Sequence, residues 1–197
     1  MRITYNAPFT LTFALVATIV HFLGMDFTKS FFTVGTTMDF GNPLDYFRLF
    51  SHAMGHGSWD HLFGNFSLIL ILGPILEEKY GTQLIVLMSF VTALLTGILN
   101  VAFLDTGLLG ASGIVFMMIL LSSFTNMKAK VIPLTFILVL VLFVGKEVLN
   151  GFEQNNVSQF AHIFGGLCGS VFGFYIGNLT AKDTTTTTPT NTNTPSF

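Results

Sequence analysis

The sequence predicts an all-α, polytopic membrane protein, and three observations carry that reading. Of its 197 residues, 51% are hydrophobic and only 9% are charged, with a mean hydropathy of +0.71. A soluble domain carries about a quarter charged residues, so this chain lacks the polar side chains to cover a water-facing surface. Long, nearly uncharged apolar runs recur from end to end, the pattern of several helical spans. The runs are continuously apolar rather than alternating, which argues against a β-barrel, and a helix satisfies its backbone polar groups locally, as a bilayer demands. The net charge of −2 leaves no basic footprint for nucleic acid. The single cysteine, Cys168, forms no internal disulfide and reads as a small core residue in a glycine-rich run.

The first span runs from Pro8 to Leu23, with Pro8 suited to a first helical turn. It is expected to be a retained helix rather than a signal peptide, because Arg2 is its only basic flank and no small-residue cleavage site follows. His21, near its end, reads as a packed or interfacial histidine. From Asp26 to Asp60 the long runs stop but aromatics persist, among them Phe27, Phe31, Phe32, Phe40, Tyr46, Phe47, Phe50 and Trp59. These Phe-rich pieces are too short to span and are broken by glycines and Pro43, which predicts a structured loop lying at the membrane interface.

The second span is expected from near His61 to about Leu76, closed by Glu77-Glu78-Lys79-Tyr80-Gly81. A third runs from Leu84 to Leu104, and a short fourth from Ser112 to Ser123. That shortness would set Ser112 below the membrane surface. A fifth covers Val131 to Val144 and a sixth runs from Phe160 to Ile176. Residues 1–181 thus read as one transmembrane domain, and 182–197 as a disordered tail rich in threonine, asparagine and proline, with nothing to bury. With six spans, Arg2, Lys79, Lys128, Lys130 and Lys182 fall on one side, against Lys29, Arg48 and Lys146 on the other. The richer side is expected to be cytoplasmic, with both termini inside and the aromatic loop outside.

Polar residues inside spans are costly and mark function by default. His61 and Asn65 stand four apart at the head of the second span, on one helix face. Ser112 opens the fourth span inside Gly110-Ala111-Ser112-Gly113, and His162 lies near the start of the sixth. By the topology above, all four sit toward the same outer side. A serine becomes a nucleophile when a base takes its proton, and His162 is the best-placed base. Asn65 and His61 are side-chain donors for the oxyanion of a tetrahedral intermediate, and the start of the fourth helix adds free backbone N–H groups. Gly110 and Gly113 leave room for a substrate backbone, while Gly165, Gly166 and Gly169 let the sixth helix approach the fourth.

Other readings compete for the same residues. Gly-Ala-Ser-Gly is also the composition of close helix packing in membranes. His52, His56 and His61 offer nitrogens to a metal, but no carboxylate or cysteine completes a set. His162 alone is compatible with a core histidine bonded to a carbonyl. A channel or transporter using the histidines as a proton path would need polar residues continuing toward the cytoplasmic side, and the cluster stops in the outer half.

Phe47-Arg48, His56-Gly57-Ser58-Trp59-Asp60-His61-Leu62-Phe63-Gly64-Asn65, Gly110-Ala111-Ser112-Gly113 and Ala161-His162-Ile163-Phe164-Gly165 with Gly169 follow one another in this order. Together they resemble the rhomboid intramembrane serine proteases, over roughly Arg48 to Gly169 and in the basic six-helix bacterial form. The resemblance implies a Ser112–His162 dyad without an acidic third member, and an oxyanion site of His61, Asn65 and the Ser112 N–H. It further implies that His56 organises the loop, that Arg48 belongs to the loop motif, and that Glu77 with Gly81 is the acidic position ending the second helix. An outer loop partly embedded in the bilayer, and a fifth helix and following loop acting as gate and cap, are also implied. So are transmembrane protein substrates cut near the outer face, residence in a bacterial inner membrane, and chemistry without metal or cofactor. Two positions depart from the family pattern. Phe47 replaces a tryptophan, and Phe116 stands where many members have a tyrosine that stacks on the catalytic histidine; a phenylalanine retains the stacking face. A non-catalytic member that binds client helices is the remaining reading.

Overall fold

The computed structural model describes residues 3–125, 132–144 and 156–185. Among them the chain is helical: α1 (Pro8–Phe22), α2 (Met25–Phe32), α3 (Pro43–Ser51), α4 (Trp59–Tyr80), α5 (Thr82–Phe103), α6 (Ser112–Ser122), α7 (Leu134–Val139) and α8 (Asn156–Thr185). A 3₁₀ turn at His52–Met54 follows α3, and a π turn at Leu140–Val144 continues α7. The β-type pairing among the described residues is a single antiparallel bridge, Val34 with Leu108, which ties the long first loop to the segment before α6.

The molecule is built round α6. A helix apolar on every side has to be buried on every side, and each residue from Gly113 to Leu121 is buried. Helices α4, α5, α7 and α8 all pack on it. Apolar side chains have no solvent to escape inside a bilayer, so helices are held there by close van der Waals fit. Helix α8 achieves that fit through glycines four residues apart on one face. A Cβ at Gly165 would strike the Gly113 backbone, one at Gly169 the Met117 backbone, and one at Gly173 the Phe124 ring. Cys168 lies buried beside this seam, as its apolar surroundings predict.

The long first loop is folded. Asn42 caps α3 by accepting from the Leu44 N–H at 3.1 Å, with Pro43 at the first helical position. Arg48 pairs with Asp45 at 2.6 Å and donates to the Ser30 carbonyl, joining α3 to α2. Aromatic rings form a continuous path from this loop to α5, with centroids 5.8 Å apart for Phe32–Phe47, 5.4 Å for Phe47–Phe50 and 5.1 Å for Phe50–Phe90. Several aromatics remain exposed, including Phe31, Phe40, Tyr46 and Trp59.

Span boundaries differ from the sequence expectation in three places. Helix α4 does not stop at the charged cluster but runs through it to Tyr80, ending at Gly81 with φ of 82°. The reason is Glu77, which turns inward. Its carboxylate accepts from the Phe9 N–H (3.0 Å), the Thr10 N–H (2.8 Å), the Thr10 hydroxyl (2.7 Å) and the Thr82 hydroxyl (2.8 Å). A carboxylate from α4 therefore caps the N-terminus of α1, whose first amides have no partner within the helix. The fifth span is reduced to α7 and its π turn, starting after Pro133; Val131 lies outside the described residues. Helix α8 begins at Asn156, before Phe160, and continues past residue 182 to Thr185, since an established helix extends at little cost. The rest of the expected tail, 186–197, lies outside the described residues.

Six full-length spans are not found by helix length among the described residues. Among the described residues, α4 and α5, at 22 residues each, are long and apolar enough to cross a membrane. Helices α1 and α6 have 15 and 11 residues, short of the ~20 that a straight crossing requires. The axes of α1 and α2 meet at 119°, so together they make at most one broken span.

Candidate active site

Ser112 is the first residue of α6, and the backbone before it is shaped by Gly110. Gly110 has φ of 129°, a conformation an L side chain resists. A Cβ there would also stand 2.5 Å from Cε1 and 2.8 Å from Nε2 of His61. Only glycine meets both conditions, and its presence brings the His61 ring against the turn that leads into Ser112. The Gly110 N–H donates to the His52 carbonyl at 3.0 Å, and the first helical bond of α6 is Val115 N–H to the Ala111 carbonyl at 3.0 Å. The Ser112 and Gly113 amides thus belong to the first turn, where no intrahelical acceptor exists and the helix dipole is positive.

His162 comes from α8. Its half-buried ring lies flat on Phe116, with centroids 4.2 Å apart and planes 6° from parallel. Phe116 is one helical turn beyond Ser112, so the stack holds the imidazole over the N-terminal end of α6. The stacking expected of a phenylalanine at this position is therefore present. Gly165, less than a turn from His162, seats on Gly113, the residue after Ser112. A close approach of α8 to α6 therefore lies beside the serine and the histidine.

His61 and Asn65 come from α4, whose start is set by Ser58: its hydroxyl accepts from the His61 N–H at 3.1 Å. Asn65 is buried, and its amide nitrogen donates to Nε2 of His56 at 3.0 Å. His56 is wholly buried in the loop, and burial, helped by nearby His61, lowers its pKa to about 3. It is neutral at ordinary pH with Nε2 free of a proton, as acceptance from Asn65 requires. The rings of His56 and His61 meet edge to face at 5.1 Å. The His56 carbonyl meets Nδ1 of His21 at 3.2 Å, and the His21 ring lies against Trp59 at 4.3 Å, so His21 is a packed residue as expected.

His52 serves as a strut. Its Nε2 lies 3.0 Å from the Ala93 carbonyl on α5, and burial lowers its pKa to about 4, partly offset by that carbonyl. With its own carbonyl holding Gly110, His52 links the loop, α5 and the turn before α6. The Nε2 atoms of His52 and His56 are thus each engaged by a protein partner.

Ser112, His162, His61 and Asn65, from three helices, line one cavity of about 650 Å³. Val115 and Phe116 of α6, the Gly107–Leu109 segment, and Asp60, Gly64 and Leu68 of α4 complete its walls. The remaining predicted residues lie off it. Arg48 joins α2 to α3, Glu77 caps α1, and Gly113 and Gly165 form the α6–α8 seam. Sequence reasoning missed Thr10 as the partner of Glu77 and His52 as a strut. It also passed over Asp60, Gly64 and Leu68, although their four-residue spacing matches that of His61 and Asn65.

A family model described as the Rhomboid domain matches residues 43–179, from the start of α3 into α8. The chain is 31% identical over 137 residues to RHOMBOID-like protein 4 of Arabidopsis thaliana, an alignment covering 66% of this chain and 34% of that protein. The chain therefore spans about a third of the length of the curated relative it matches.

Proposed function

The chain belongs to the rhomboid family, it is an integral membrane protein, and on that footing we propose that it is an intramembrane serine endopeptidase. The observation that carries the proposal is the single cavity shared by Ser112, His162, His61 and Asn65. A nucleophile, a base and two side-chain donors from separate helices have little reason to converge on one cavity in a protein that only binds a client.

In this reading His162 accepts the Ser112 proton as Oγ attacks the scissile carbonyl. The resulting oxyanion is held by Asn65, His61 and the Ser112 N–H, donors aimed in advance at charge that forms only in the transition state. Collapse breaks the C–N bond, and the departing amine takes the proton from His162. His162 then removes a proton from the water that attacks the acyl-enzyme, and returns it to Ser112 Oγ as the C–O bond breaks and the carboxylate end is freed, restoring the serine. Asn65 suits its role because His56 fixes its amide orientation while leaving a second amide hydrogen for the substrate. The substrates we propose are transmembrane segments whose helices unwind readily and carry small residues at the cut, because a stable helix shields its own carbonyls. The shortness of α6 supports a recessed serine, and the bias of basic residues supports a cavity on the outer face, with both termini in the cytoplasm.

The test is cleavage of model transmembrane substrates by purified protein in detergent or liposomes, beside Ser112→Ala and His162→Ala. The proposal requires both substitutions to abolish cutting, and a fluorophosphonate to label the wild type but not Ser112→Ala. Equal behaviour of all three proteins across several substrates leaves the client-binding reading in its place.

A further inference from the structure

Helix α4 presents two parallel rows to the cavity. His61 and Asn65 form one; Asp60, Gly64 and Leu68, each a turn apart, form the other. The second row has no part in the chemistry above, and folding does not account for the glycine in it. Gly64 lies inside a helix, where glycine is unfavourable relative to alanine. It is exposed, and a Cβ there would meet nothing within 4 Å among the described residues. Neither packing nor a positive φ calls for glycine at this position; the space beside it is open to something outside the chain. Asp60 is exposed at the rim, and among the described residues lining the cavity it is the one acidic side chain, with no lysine or arginine beside it. It makes no ion pair among the described residues, where the Arg48–Asp45 bridge is the pair formed.

We propose that Asp60 is a specificity determinant, selecting polypeptide segments that carry a lysine or arginine next to the stretch that enters the cavity along Gly64 and Leu68. The proposal rests on the protease reading and names a feature of its substrate. Leu68 gives the entering segment an apolar wall, Gly64 lets its backbone come close, and the Asp60 carboxylate stands where a flanking charge leaves the apolar part. A basic residue there is attracted and an acidic one repelled. Asp60 also sits in the first turn of α4, where a carboxylate favours the helix dipole; that role alone would make no distinction between substrates.

The experiment is a series of one transmembrane substrate with Lys, Ala or Glu placed in turn at each position flanking the cut, with kcat/KM measured for wild type, Asp60→Asn and Asp60→Lys. Binding of the same series to Ser112→Ala is measured in parallel. The expected result is a Lys-over-Glu preference of about three- to thirtyfold at one or two positions, the range for an exposed charge pair exchanged for a repulsive one. It should shrink in 1 M salt, where screening acts within about 3 Å. Asp60→Asn should bring the ratio close to one, and Asp60→Lys should invert it. Cleavage with a Lys:Glu ratio unchanged in both variants overturns the inference and leaves the protease reading standing. Absence of cleavage together with charge-selective binding that Asp60→Lys inverts does the reverse. Absence of both overturns the two together.

Discussion

Replacing Gly165 by alanine probes how finely the distance between α6 and α8 is set. The added Cβ would lie 2.9 Å from the Gly113 Cα and closer still to the Gly113 carbonyl oxygen, where ordinary contact is 3.4–4 Å. Both partners are backbone atoms, which have no rotamer to move to, so the helices must separate by roughly 0.5–1 Å at this level. Overpacking of this kind costs about 1–3 kcal/mol of stability. The larger effect falls on rate. Gly113 follows Ser112 and Gly165 lies three residues after His162, so the displacement acts directly between the proposed nucleophile and its base. A misplacement of about 1 Å costs on the order of 100-fold in rate. The assay is hydrolysis of a fluorogenic transmembrane peptide in proteoliposomes, with thermal unfolding and fluorophosphonate labelling of the same preparations. The expected outcome is a fall in kcat/KM of about 100-fold, carried mainly by kcat, with slower labelling and a folded protein. Gly173→Ala is the control. It loads the same seam at the Phe124 ring, away from Ser112, and should lower stability while sparing most of the rate. A Gly165→Ala protein that keeps kcat/KM within about twofold of wild type would refute the argument that the glycine seam positions the dyad.

Four further outcomes are expected. Asn65→Ala should lower kcat by about 10²–10³, as loss of one oxyanion donor does, and unchanged kcat would remove Asn65 from the site. Phe116→Ala should slow cleavage by about 2- to 12-fold, the equivalent of an aromatic stack worth about 0.5–1.5 kcal/mol, while Phe116→Tyr, which keeps the ring, should stay near wild type. Glu77→Ala leaves the first amides of α1 unsatisfied in a buried place and should lower stability by about 2–4 kcal/mol, read by thermal unfolding; Glu77→Gln, retaining one acceptor oxygen, should fall between. The folded-state pKa of His52 is depressed from 6.5 to about 4, so between those values the unfolded chain binds the proton first. Stability should therefore be fully present above about pH 6.5 and decline as pH falls toward 4, by roughly 3 kcal/mol from this group. His56 acts with the same sign. Equilibrium unfolding of wild type and His52→Gln at pH 7 and 4.5 checks this, and equal pH dependence in the two would exclude His52 as a source.

Some features were legible in the chain because they depend on neighbours close in sequence. Helices α1, α4, α5 and α6 announce themselves as apolar runs, and the starts of α1 and α6 are marked by Pro8 and the Gly110–Gly113 segment; the cap of α4 at Ser58, three residues before the expected His61, came only with the structure. His61 and Asn65 share a face because four residues make about one turn. The glycines at 165 and 169 could be assigned to close packing because a four-residue repeat of small residues has one main use in an apolar helix. What fails at this level is any pairing between distant segments. Nothing local to Glu77 distinguishes a charged helix end from a carboxylate turned inward to cap a helix 67 residues earlier. His52, four residues from His56, has the spacing of a ligand pair, yet its hydrogen-bond partner Ala93 is set by the packing of α3 and α5.

By itself, the sequence determined that this is a helical membrane protein and which polar side chains are candidates for its chemistry, because composition and 3.6-residue periodicity act through local backbone geometry. Only the tertiary structure decided that Ser112, His61, Asn65 and His162 meet at one cavity. It also decided that Phe116 stacks on the histidine and that Asp60 and Gly64 face the same space. Those relations depend on how α4 and α8 are rotated and spaced about α6. Rotation and spacing are set by contacts such as Gly165 on Gly113 and His61 on Gly110, in which each residue's fit depends on a partner far away in the chain.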